Sequence, residues 1–535
     1  MNAPSSLAQP ERRAPSLAAR AAALGLPLLV AIANLTRYAQ PTFVIDDSWI
    51  SFRIAENLLR HGVLTYDLTR PPVEGMTNLL WTLLSVPAIL WRPAIDPAVT
   101  MRLVGALLYL ASVAVFSRSV LKATRHAGAA LVAGLLLAYP GNIGFHALSG
   151  LETPLFLFLF VIALRLAIIR DGGAPQATLL GFVLAALALT RPEGVLLGGV
   201  FILITERLHG RPQALRAAVP FVAVLAATEL FRLAYFHALV PNTYGAKPPS
   251  LRDGLDYGRI FLKYGLGYAG LAAAAAGARI DRHTRWAALL AIVYAAGVIA
   301  TGGDWMFGYR RMIPVYAVVA FLGVRALAVR DRRRWVAAVG LAAMFAGNLV
   351  MTAQRREANL FTNAIWQTLG RRAQDTPGLE RAALVDIGAF GWAFKRSIFD
   401  FAGLTDAHIA ALEGTHIDKT WDEAYFRAQR PDVVFCLAAP DAGGHPTVFR
   451  KPERDVLRSI RENGGYSIHS IVREQGGAIV VLARDGFELP PSSWGEPLRL
   501  PVAQLPAKLL ELPASTQRWA DLSTPAADQS GVRSR

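Results

Sequence analysis

Apolar runs as long as a membrane helix recur from residue 17 to residue 352, with short polar segments between them. A helix needs about 20 mostly apolar residues to cross a bilayer, so this pattern predicts a mainly α-helical bundle of about eleven membrane-spanning helices. The apolar run at 78–91 is short, and we interpret it as a re-entrant or interfacial helix. The predicted spans lie at 17–36, 100–117, 127–140, 154–169, 176–190, 193–206, 214–236, 257–278, 286–301, 309–328 and 335–352.

The pattern changes after residue 352. Apolar runs shorten to the length of strands at 382–387, 433–437 and 478–483, with helical stretches between them. This alternation predicts a small α/β domain over 353–512, after a membrane-spanning bundle at 17–352. Residues 1–16 are expected to form an N-terminal tail on the cytoplasmic side. Residues 513–535 are polar, without a long apolar run, and are expected to be disordered.

Charge then gives the bundle an orientation. Only 18% of the 535 residues are charged, against roughly a quarter in soluble proteins. The net charge of +16 would suggest a nucleic-acid partner in a soluble protein. Here much of the Lys and Arg lies in short loops, which is the signature of cytoplasmic loops, so we expect no nucleic-acid partner. If 78–91 does not cross, the basic loops fall on one side, and the C-terminal domain falls on the other.

The single cysteine, Cys436, excludes both an intramolecular disulfide framework and a zinc site built from cysteines. It follows Val433, Val434 and Phe435, so we interpret it as a small buried apolar residue.

The loops on the outer side carry most of the acids, aromatics and glycines. The first of them contains the adjacent acids Asp46 and Asp47, at the start of an amphipathic helix that Gly62 would end. A helix cap needs only one of the two acids. Carboxylates close to hydrocarbon are costly, so the pair is a hypothesis for a functional site.

Further polar residues in these loops have two interpretations each. Glu74 and Asn78 either belong to a capped turn or bind substrate. Glu152 either flanks a helix or binds a sugar hydroxyl. Arg191 either is neutralised by Glu193 in a hairpin turn or meets a lipid phosphate.

The last two outer loops add cations and aromatic rings. Arg310 and Arg311 lie on the acidic side of the bundle, which suggests an anion near them, although an interfacial belt is the alternative. The other candidate substrate-binding residues here are Asn242, Tyr244, Lys247, Asp304 and Trp305.

In order along the chain, these motifs resemble those of a GT-C membrane glycosyltransferase family similar to mycobacterial terminal β-(1→2) arabinofuranosyltransferases. Ser48, Trp49, Met76 and Leu79 depart from the family pattern beside the expected active site. The segments that carry the resemblance are DDSWISFR (46–53), VEGMTNLLW (73–81), GLETP (150–154), RPEG (191–194), PNTYGAK (241–247), GGDWM (302–306), DIGA (386–389) and DFAGLTD (400–406).

The resemblance implies an inverting transfer of a sugar, with arabinofuranose favoured, from a polyprenyl-phosphate donor. The reaction would occur on the periplasmic face of a bacterial inner membrane. The acceptor would be an envelope polysaccharide such as cell wall or lipopolysaccharide, a lipid-linked glycan, or a protein.

The resemblance also assigns roles to the candidate residues. Asp46 or Asp47 would deprotonate the acceptor, and a divalent cation is compatible with this pair, although two acids alone do not establish a metal site. The departing phosphate would meet Arg191, Lys247, Arg310 or Arg311, and the sugar would meet Glu152, Asp304 and Trp305.

Two other classes of protein remain as alternatives. A transporter or flippase of a lipid-linked glycan would carry internal repeats and polar groups near the middle of the bilayer. A membrane-anchored scaffold that binds glycans would leave the pair Asp46 and Asp47 without a role. Against the transporter, the sequence shows no internal repeat, and its polar motifs gather on one side of the bundle.

Overall fold

A computed structural model describes residues 15–39, 44–91, 96–169, 176–353, 362–440, 446–448, 450–474, 477–490 and 496–500. The predicted tails at 1–16 and 513–535 therefore lie almost wholly outside the described residues. The described part is mainly helical, with one sheet near its C-terminal end.

The helices of the first part of the chain form the bundle. They are α1 (Leu17–Thr36), α2 (Asp46–His61), α3 (Leu79–Leu90), α4 (Pro97–Thr124), α5 (Ala127–Ala138), α6 (Gly141–Ala147), α7 (Thr153–Ala167), α8 (Ala177–Thr190), α9 (Glu193–His209), α10 (Arg211–Phe236), α11 (Thr243–Ala246), α12 (Leu251–Ile260), α13 (Gly270–Ala278), α14 (Arg282–Ala300), α15 (Ile313–Leu327) and α16 (Arg333–Ala353).

The remaining elements form the C-terminal domain. Its helices are α17 (Thr362–Asp375), α18 (Ile387–Phe394), α19 (Ala407–Ala411), α20 (Glu423–Gln429) and α21 (Lys451–Asn463). Its strands are β1 (Arg381–Leu384), β2 (Ser397–Asp400), β3 (Val433–Pro440), β4 (Pro446–Val448), β5 (Tyr466–Glu474), β6 (Gly477–Arg484) and β7 (Glu496–Leu500).

Five helices of the described part are long and apolar enough to cross a membrane: α1, α4, α10, α14 and α16. A sixth is added if α5 and α6, which bend by 61° at their junction, count as one span. The other predicted spans also fall on helices, most of them shorter, so a multi-pass membrane fold is confirmed while the count of eleven stays a prediction. The 12-residue α3 is about 18 Å long, less than the thickness of the hydrocarbon core.

The predicted span 257–278 is not one continuous helix. It consists of α12, a π-helical turn at Phe261–Gly265, and α13. The break occurs where Gly267 and Tyr268 adopt positive φ angles of 57° and 53°. A side chain at Gly267 would lie 2.5 Å from the carbonyl oxygen of Ala343, so the glycine lets α16 approach the break closely.

The basic turns meet one another at one end of the bundle. Arg325 donates a hydrogen bond to the carbonyl of Ala123 (3.2 Å) and forms an ion pair with Asp281. Arg282 donates to the carbonyl of Leu208 (3.2 Å). The turns that follow α4, α9, α13 and α15 therefore share one end, as the distribution of Lys and Arg predicts.

The C-terminal domain contains a mixed sheet with the strand order β2-β1-β3-β6-β5-β7, and β4 pairs with β3. β1 is parallel to β2 and β3, while β3, β5 and β6 pair antiparallel. The three predicted strand segments correspond to β1, β3 and β6, and Cys436 lies buried in β3. The predicted small α/β domain is therefore present.

The sheet domain is packed on the bundle through α2. One continuous apolar core includes Phe52 and Ile54 of α2 together with Phe390 of α18 and the central strands. Arg53 donates hydrogen bonds to the carbonyls of Gly391 (3.1 Å) and Arg396 (2.7 Å). The domain therefore covers the end of the bundle opposite to the basic turns.

Candidate active site

A cavity of about 1390 Å³ lies where the bundle meets the C-terminal domain. Its wall is built from the predicted outer loops, which lie far apart in sequence. Ten of the thirteen candidate residues line it, and the three that do not are Asp46, Glu74 and Asn242. The ten lining residues are Asp47, Asn78, Glu152, Arg191, Tyr244, Lys247, Asp304, Trp305, Arg310 and Arg311.

The two adjacent acids at the start of α2 have different surroundings. Asp47 lines the cavity, and its carboxylate accepts no hydrogen bond from any residue that the structure describes. Burial raises the pKa of the Asp47 carboxyl, an effect that the charges of Lys247 and Arg310 partly offset. A carboxylate with a raised pKa and free oxygens is suited to accept a proton.

Asp46 instead anchors the C-terminal domain. Its carboxylate oxygens accept hydrogen bonds from the backbone N–H groups of Gly388 (2.9 Å) and Ala389 (2.8 Å), at the start of α18. Burial, together with the charge of Asp386, raises the pKa of Asp46 to about 7. Both of its oxygens are occupied and it lies outside the cavity, so its geometry is that of a docking residue.

Three arginines and three carboxylates form a network in the cavity wall. Glu152 accepts from Arg191 (2.5 Å), and Glu193 accepts from both Arg191 (3.1 Å) and Arg311 (2.5 Å). Arg310 is paired with Asp304. Such mutual pairing keeps the charges ionised in a buried setting and fixes the side chains in position.

Two donor groups of this network stay unpaired among the described residues. They are the buried Nη1 of Arg310, which lies 4.0 Å from Glu152 Oε1, and the buried Nε of Arg191. Guanidinium donors held in place next to a cavity are suited to bind phosphate oxygens. The carboxylates Glu152 and Asp304 are already occupied by arginines. Burial alone would raise the pKa of Asp304, but the positive charges of Arg310 and Arg191 outweigh burial and lower that pKa to about 2.

Lys247 is a further cation in the cavity wall, and it has no hydrogen-bond partner in the described part of the chain. Asn78 donates to Glu152 (3.0 Å) and accepts from Ser51 (3.2 Å), so it ties α2 to the arginine network. Trp305 lines the cavity with 43% of its surface exposed. Tyr244 is also half exposed there.

Glu74 and Asn242, which the sequence analysis proposed as substrate-binding residues, make structural contacts instead. Glu74 accepts two hydrogen bonds from the guanidinium of Arg232, at 2.6 and 3.1 Å. Asn242 donates to the carbonyls of Gly403 (2.8 Å) and Leu404 (3.0 Å) in the C-terminal domain. Glu74 therefore fixes the loop before α3 to α10 within the bundle, and Asn242 joins the bundle to the C-terminal domain; neither side chain lines the cavity.

Several lining residues were missed by the sequence analysis. Glu193 was treated only as the neutralising neighbour of Arg191, although it bridges two arginines. His416, Lys451 and Arg454 reach the cavity from the C-terminal domain. They lie in segments without a recognisable motif, and only the docking of the domain brings them to the site.

Among the described residues, no group of three or more His, Cys, Asp or Glu side chains is arranged to bind a metal ion. Asp46 and Asp47 diverge, since only Asp47 lines the cavity. The divalent cation considered for this pair therefore has one carboxylate available to it, not two.

The architecture is shared with two solved membrane enzymes. A crystal structure of ArnT from Cupriavidus metallidurans bound to undecaprenyl phosphate is 13% identical, with a TM-score of 0.55, over 88% of this chain and 98% of that chain. An oligosaccharyltransferase from Archaeoglobus fulgidus in the apo form is 13% identical, with a TM-score of 0.53, over 88% of this chain and 75% of that chain. Both are GT-C glycosyltransferases.

The chain has the GT-C fold. At 13% identity the likeness establishes the fold and not the reaction. Residues 353–488 match a family model described as a domain of unknown function (DUF8728), which corresponds to the C-terminal domain of this chain. No curated protein matches the sequence.

Proposed function

We propose that this GT-C protein is an inverting glycosyltransferase that moves a sugar from a polyprenyl-phosphate donor to an envelope glycan acceptor. The observation that carries the proposal is that Asp46 and Asp47, adjacent at the start of α2, have different surroundings. The Asp47 carboxylate faces a cavity that also contains one N–H donor of Arg310 and the ammonium group of Lys247, and none of these three groups has a hydrogen-bond partner among the described residues. The likeness in fold to ArnT, solved with undecaprenyl phosphate, is consistent with a donor of this class.

In the proposed reaction the acceptor hydroxyl oxygen attacks the anomeric carbon of the donor sugar. The bond from that carbon to the phosphate oxygen breaks, and its electron pair leaves with the polyprenyl phosphate. The proton of the attacking hydroxyl passes to Asp47. Attack from the face opposite to the leaving phosphate inverts the anomeric configuration.

The departing phosphate needs stabilisation of negative charge more than it needs a proton. Arg310 and Arg191 supply donors that their carboxylate partners hold in place before the reaction begins, which is the condition under which electrostatic stabilisation is most effective, and Lys247 adds a further positive charge. Glu152 and Asp304 then act by holding the arginines in place. Arg311 is engaged by Glu193, Thr301 and the carbonyl of Gly303, so its role is to brace the network.

Arabinofuranose is the favoured donor sugar, on the strength of the motifs DDSWISFR and VEGMTNLLW. The acceptor would be a cell-wall polysaccharide, lipopolysaccharide, another lipid-linked glycan or a protein. The reaction would take place on the periplasmic face of the bacterial inner membrane, since the cavity lies at the end opposite to the basic turns.

The decisive experiment is transfer in vitro from a panel of polyprenyl-phosphate sugars, with analysis of the product linkage, by the full chain and by Asp47→Asn. We expect Asp47→Asn to lower the transfer rate at least ~100-fold, because a positioned general base typically contributes about 10²- to 10⁴-fold. Its thermal unfolding in detergent should match that of the parent protein, since no hydrogen bond to a described residue is lost.

Asp46→Asn is the matched control, because it changes the neighbouring acid in the same way. It should lower the unfolding temperature while keeping more of the transfer activity than Asp47→Asn. Full activity of Asp47→Asn would contradict the proposal. If neither the parent protein nor Asp47→Asn transfers sugar, but both move a lipid-linked glycan across vesicle membranes, the chain is a flippase. If both proteins only bind glycan, the chain is a scaffold.

A further inference from the structure

One loop of the C-terminal domain reaches into the cavity without any role in the reaction proposed above. It runs from Glu413 to Thr420, between α19 and α20, and the residues at its tip, 415–418, all line the cavity. Because this loop enters the cavity from the C-terminal domain, it is placed to contact a substrate that arrives from the aqueous side.

The loop is held in shape by its own hydrogen bonds. Thr420 N–H donates to the carbonyl of Glu413 (2.8 Å), and Asp418 N–H donates to the carbonyl of Thr415 (3.0 Å). The Thr415 hydroxyl donates to Asp418 Oδ1 (2.5 Å). Gly414 has a φ of 99°, and a side chain there would lie 2.4 Å from the carbonyl oxygen of Asp418. The tip is therefore preorganised.

The loop is also fastened to the bundle. The ammonium group of Lys419 donates to three carbonyl oxygens, those of Gly245 (2.9 Å), Ala410 (2.9 Å) and Leu412 (2.8 Å). Gly245 belongs to α11 of the bundle, so this lysine fixes the loop relative to the cavity wall. The backbone N–H of Lys451 donates to the carbonyl of Ile417 (3.1 Å), which ties the loop to α21.

His416 is the residue that this rigid tip presents. Its ring centroid lies 6.3 Å from that of Trp305, with an angle of 46° between the planes. Neither ring nitrogen has a hydrogen-bond partner among the described residues. Burial, together with the positive charges of Lys247 and Arg450, lowers the pKa of His416 well below its usual value, so the ring is neutral near pH 7. It then offers one N–H donor and one acceptor nitrogen.

A half-exposed indole beside a neutral imidazole suits a sugar ring better than an ion. The C–H face of a sugar packs on the indole, and the imidazole can both donate to and accept from hydroxyl groups. A phosphate would favour a charged imidazole, and the neighbouring cations make that charge costly. In the proposed reaction Arg310 binds the phosphate of the donor. We therefore assign the sugar between Trp305 and His416 to the acceptor.

We propose that Trp305 and His416 form a subsite for the terminal sugar of a glycan acceptor, with one wall from the bundle and the other from the C-terminal domain. This rests on the proposed function, and it specifies the acceptor as a glycan whose end bears free hydroxyl groups. The subsite orients the end of the glycan so that one hydroxyl faces Asp47. The domain of residues 353–488 thereby takes part in acceptor recognition.

The first test is binding, which does not depend on turnover. The full chain carrying Asp47→Asn is purified in detergent, and octyl glycosides of arabinofuranosyl, galactosyl and glucosyl disaccharides are titrated by calorimetry. We expect at least one glycoside to bind with a Kd below ~10 mM, which is weak binding on the usual scale. His416→Ala or Trp305→Ala in this background should weaken that binding at least tenfold.

Matched controls keep the result specific. His408→Ala changes an exposed histidine of the same domain that pairs with Asp422, and Trp335→Ala changes an exposed tryptophan at the opposite end of the bundle. Both should bind as the Asp47→Asn parent does. His416→Gln, which keeps a donor and an acceptor, should recover part of the affinity that His416→Ala loses.

The second test is kinetic and separates this inference from the proposed function. With the active chain, His416→Ala should raise the KM for acceptor at least tenfold and leave the KM for the polyprenyl-phosphate donor within twofold. If Asp47→Asn abolishes transfer while His416→Ala leaves the acceptor KM unchanged, the subsite is wrong and the enzyme assignment stands. The subsite is also overturned if no glycoside of the panel binds, or if His416→Ala and Trp305→Ala bind as the controls do.

Discussion

At the scale of single residues, the informative comparison is between carboxylates that look alike in the sequence. Asp46 and Asp47 are adjacent, yet one is bound by two backbone N–H groups and the other faces a cavity. A helix turns by about 100° per residue, so neighbours on its first turn point in different directions. The pair is visible in the sequence, but the different roles of its two members are not, because they depend on α18, some 340 residues later in the chain.

The raised pKa of Asp47 leads to a prediction about the pH dependence of transfer. A base must be ionised to accept a proton, so kcat/KM should rise with pH as Asp47 loses its proton and then level off. Because burial raises the pKa of this carboxyl, the midpoint should lie above the ordinary aspartate value of about 3.9.

The measurement is a pH profile of kcat/KM with a polyprenyl-phosphate sugar, for the parent protein and for Asp47→Asn. The residual rate of Asp47→Asn should lack this rise. A midpoint at or below about 3.9 in the parent, or the same profile in both proteins, would count against Asp47 as the base.

Glu74 supports a second prediction at this scale, because its position separates stability from binding. It is buried and receives both donors of a bidentate pair from Arg232. Glu74→Gln removes the buried counter-charge of Arg232 and leaves only the exposed Glu229 to pair with it, which should lower the free energy of unfolding by about 1–3 kcal/mol.

Thermal unfolding in detergent measures the loss of stability. Steady-state kinetics, at a temperature well below unfolding, measure substrate binding separately. The KM values for donor and acceptor should stay within twofold of the parent values, since Glu74 does not line the cavity. A large rise in either KM with an unchanged unfolding temperature would return Glu74 to the substrate-binding residues.

At the scale of elements, α2 shows how much a local pattern can predict. The amphipathic spacing and Gly62 predicted a helix that starts at the acidic pair, and the helix runs from Asp46 to His61, with Gly62 at a φ of 70°. What the pattern could not predict is the partner of its apolar face. The partner is the C-terminal domain, since Trp49 packs against Trp392 of α18, with ring centroids 5.5 Å apart.

The contact between α2 and α18 depends on a glycine. A side chain at Gly388 would lie 1.9 Å from the carbonyl oxygen of Asp46, which is backbone and cannot rotate away. Gly388→Ala should therefore push α18 from α2, lower the free energy of unfolding by about 1–3 kcal/mol, and lower transfer because Asp47 adjoins the displaced residue.

Gly199→Ala is the matched control, since a side chain at Gly199 in α9 meets nothing within 4 Å. It should keep both the unfolding temperature and the transfer rate. Equal stability and activity in Gly388→Ala and Gly199→Ala would show that the close approach of α18 to Asp46 is not required.

At the scale of the whole molecule, the segregation of charge predicted which loops would meet. Segments as distant in sequence as 46–53 and 302–311 line one cavity, while the basic turns gather at the other end of the bundle. The contribution of the C-terminal domain to the cavity could not be foreseen in this way. His416 and Arg454 belong to a loop and a helix with ordinary composition, and their proximity to the site arises only from tertiary docking.

The two ends of the bundle should face opposite sides of the membrane, and the chain offers a simple way to measure this. Cys436 is its only cysteine and is buried, so replacing it with serine gives a background without thiols. Glu413 and Arg332 are both exposed, the first beside the cavity and the second among the basic turns.

Each of these two residues is changed to cysteine in turn, and intact cells are treated with a maleimide that does not cross the inner membrane. Because cytoplasmic loops carry the excess of Lys and Arg, Glu413→Cys should be labelled directly and Arg332→Cys only after permeabilisation. Labelling of both from the same side, or of Arg332→Cys alone from outside, would place the cavity away from a periplasmic acceptor and would end the proposed reaction, whatever the fold.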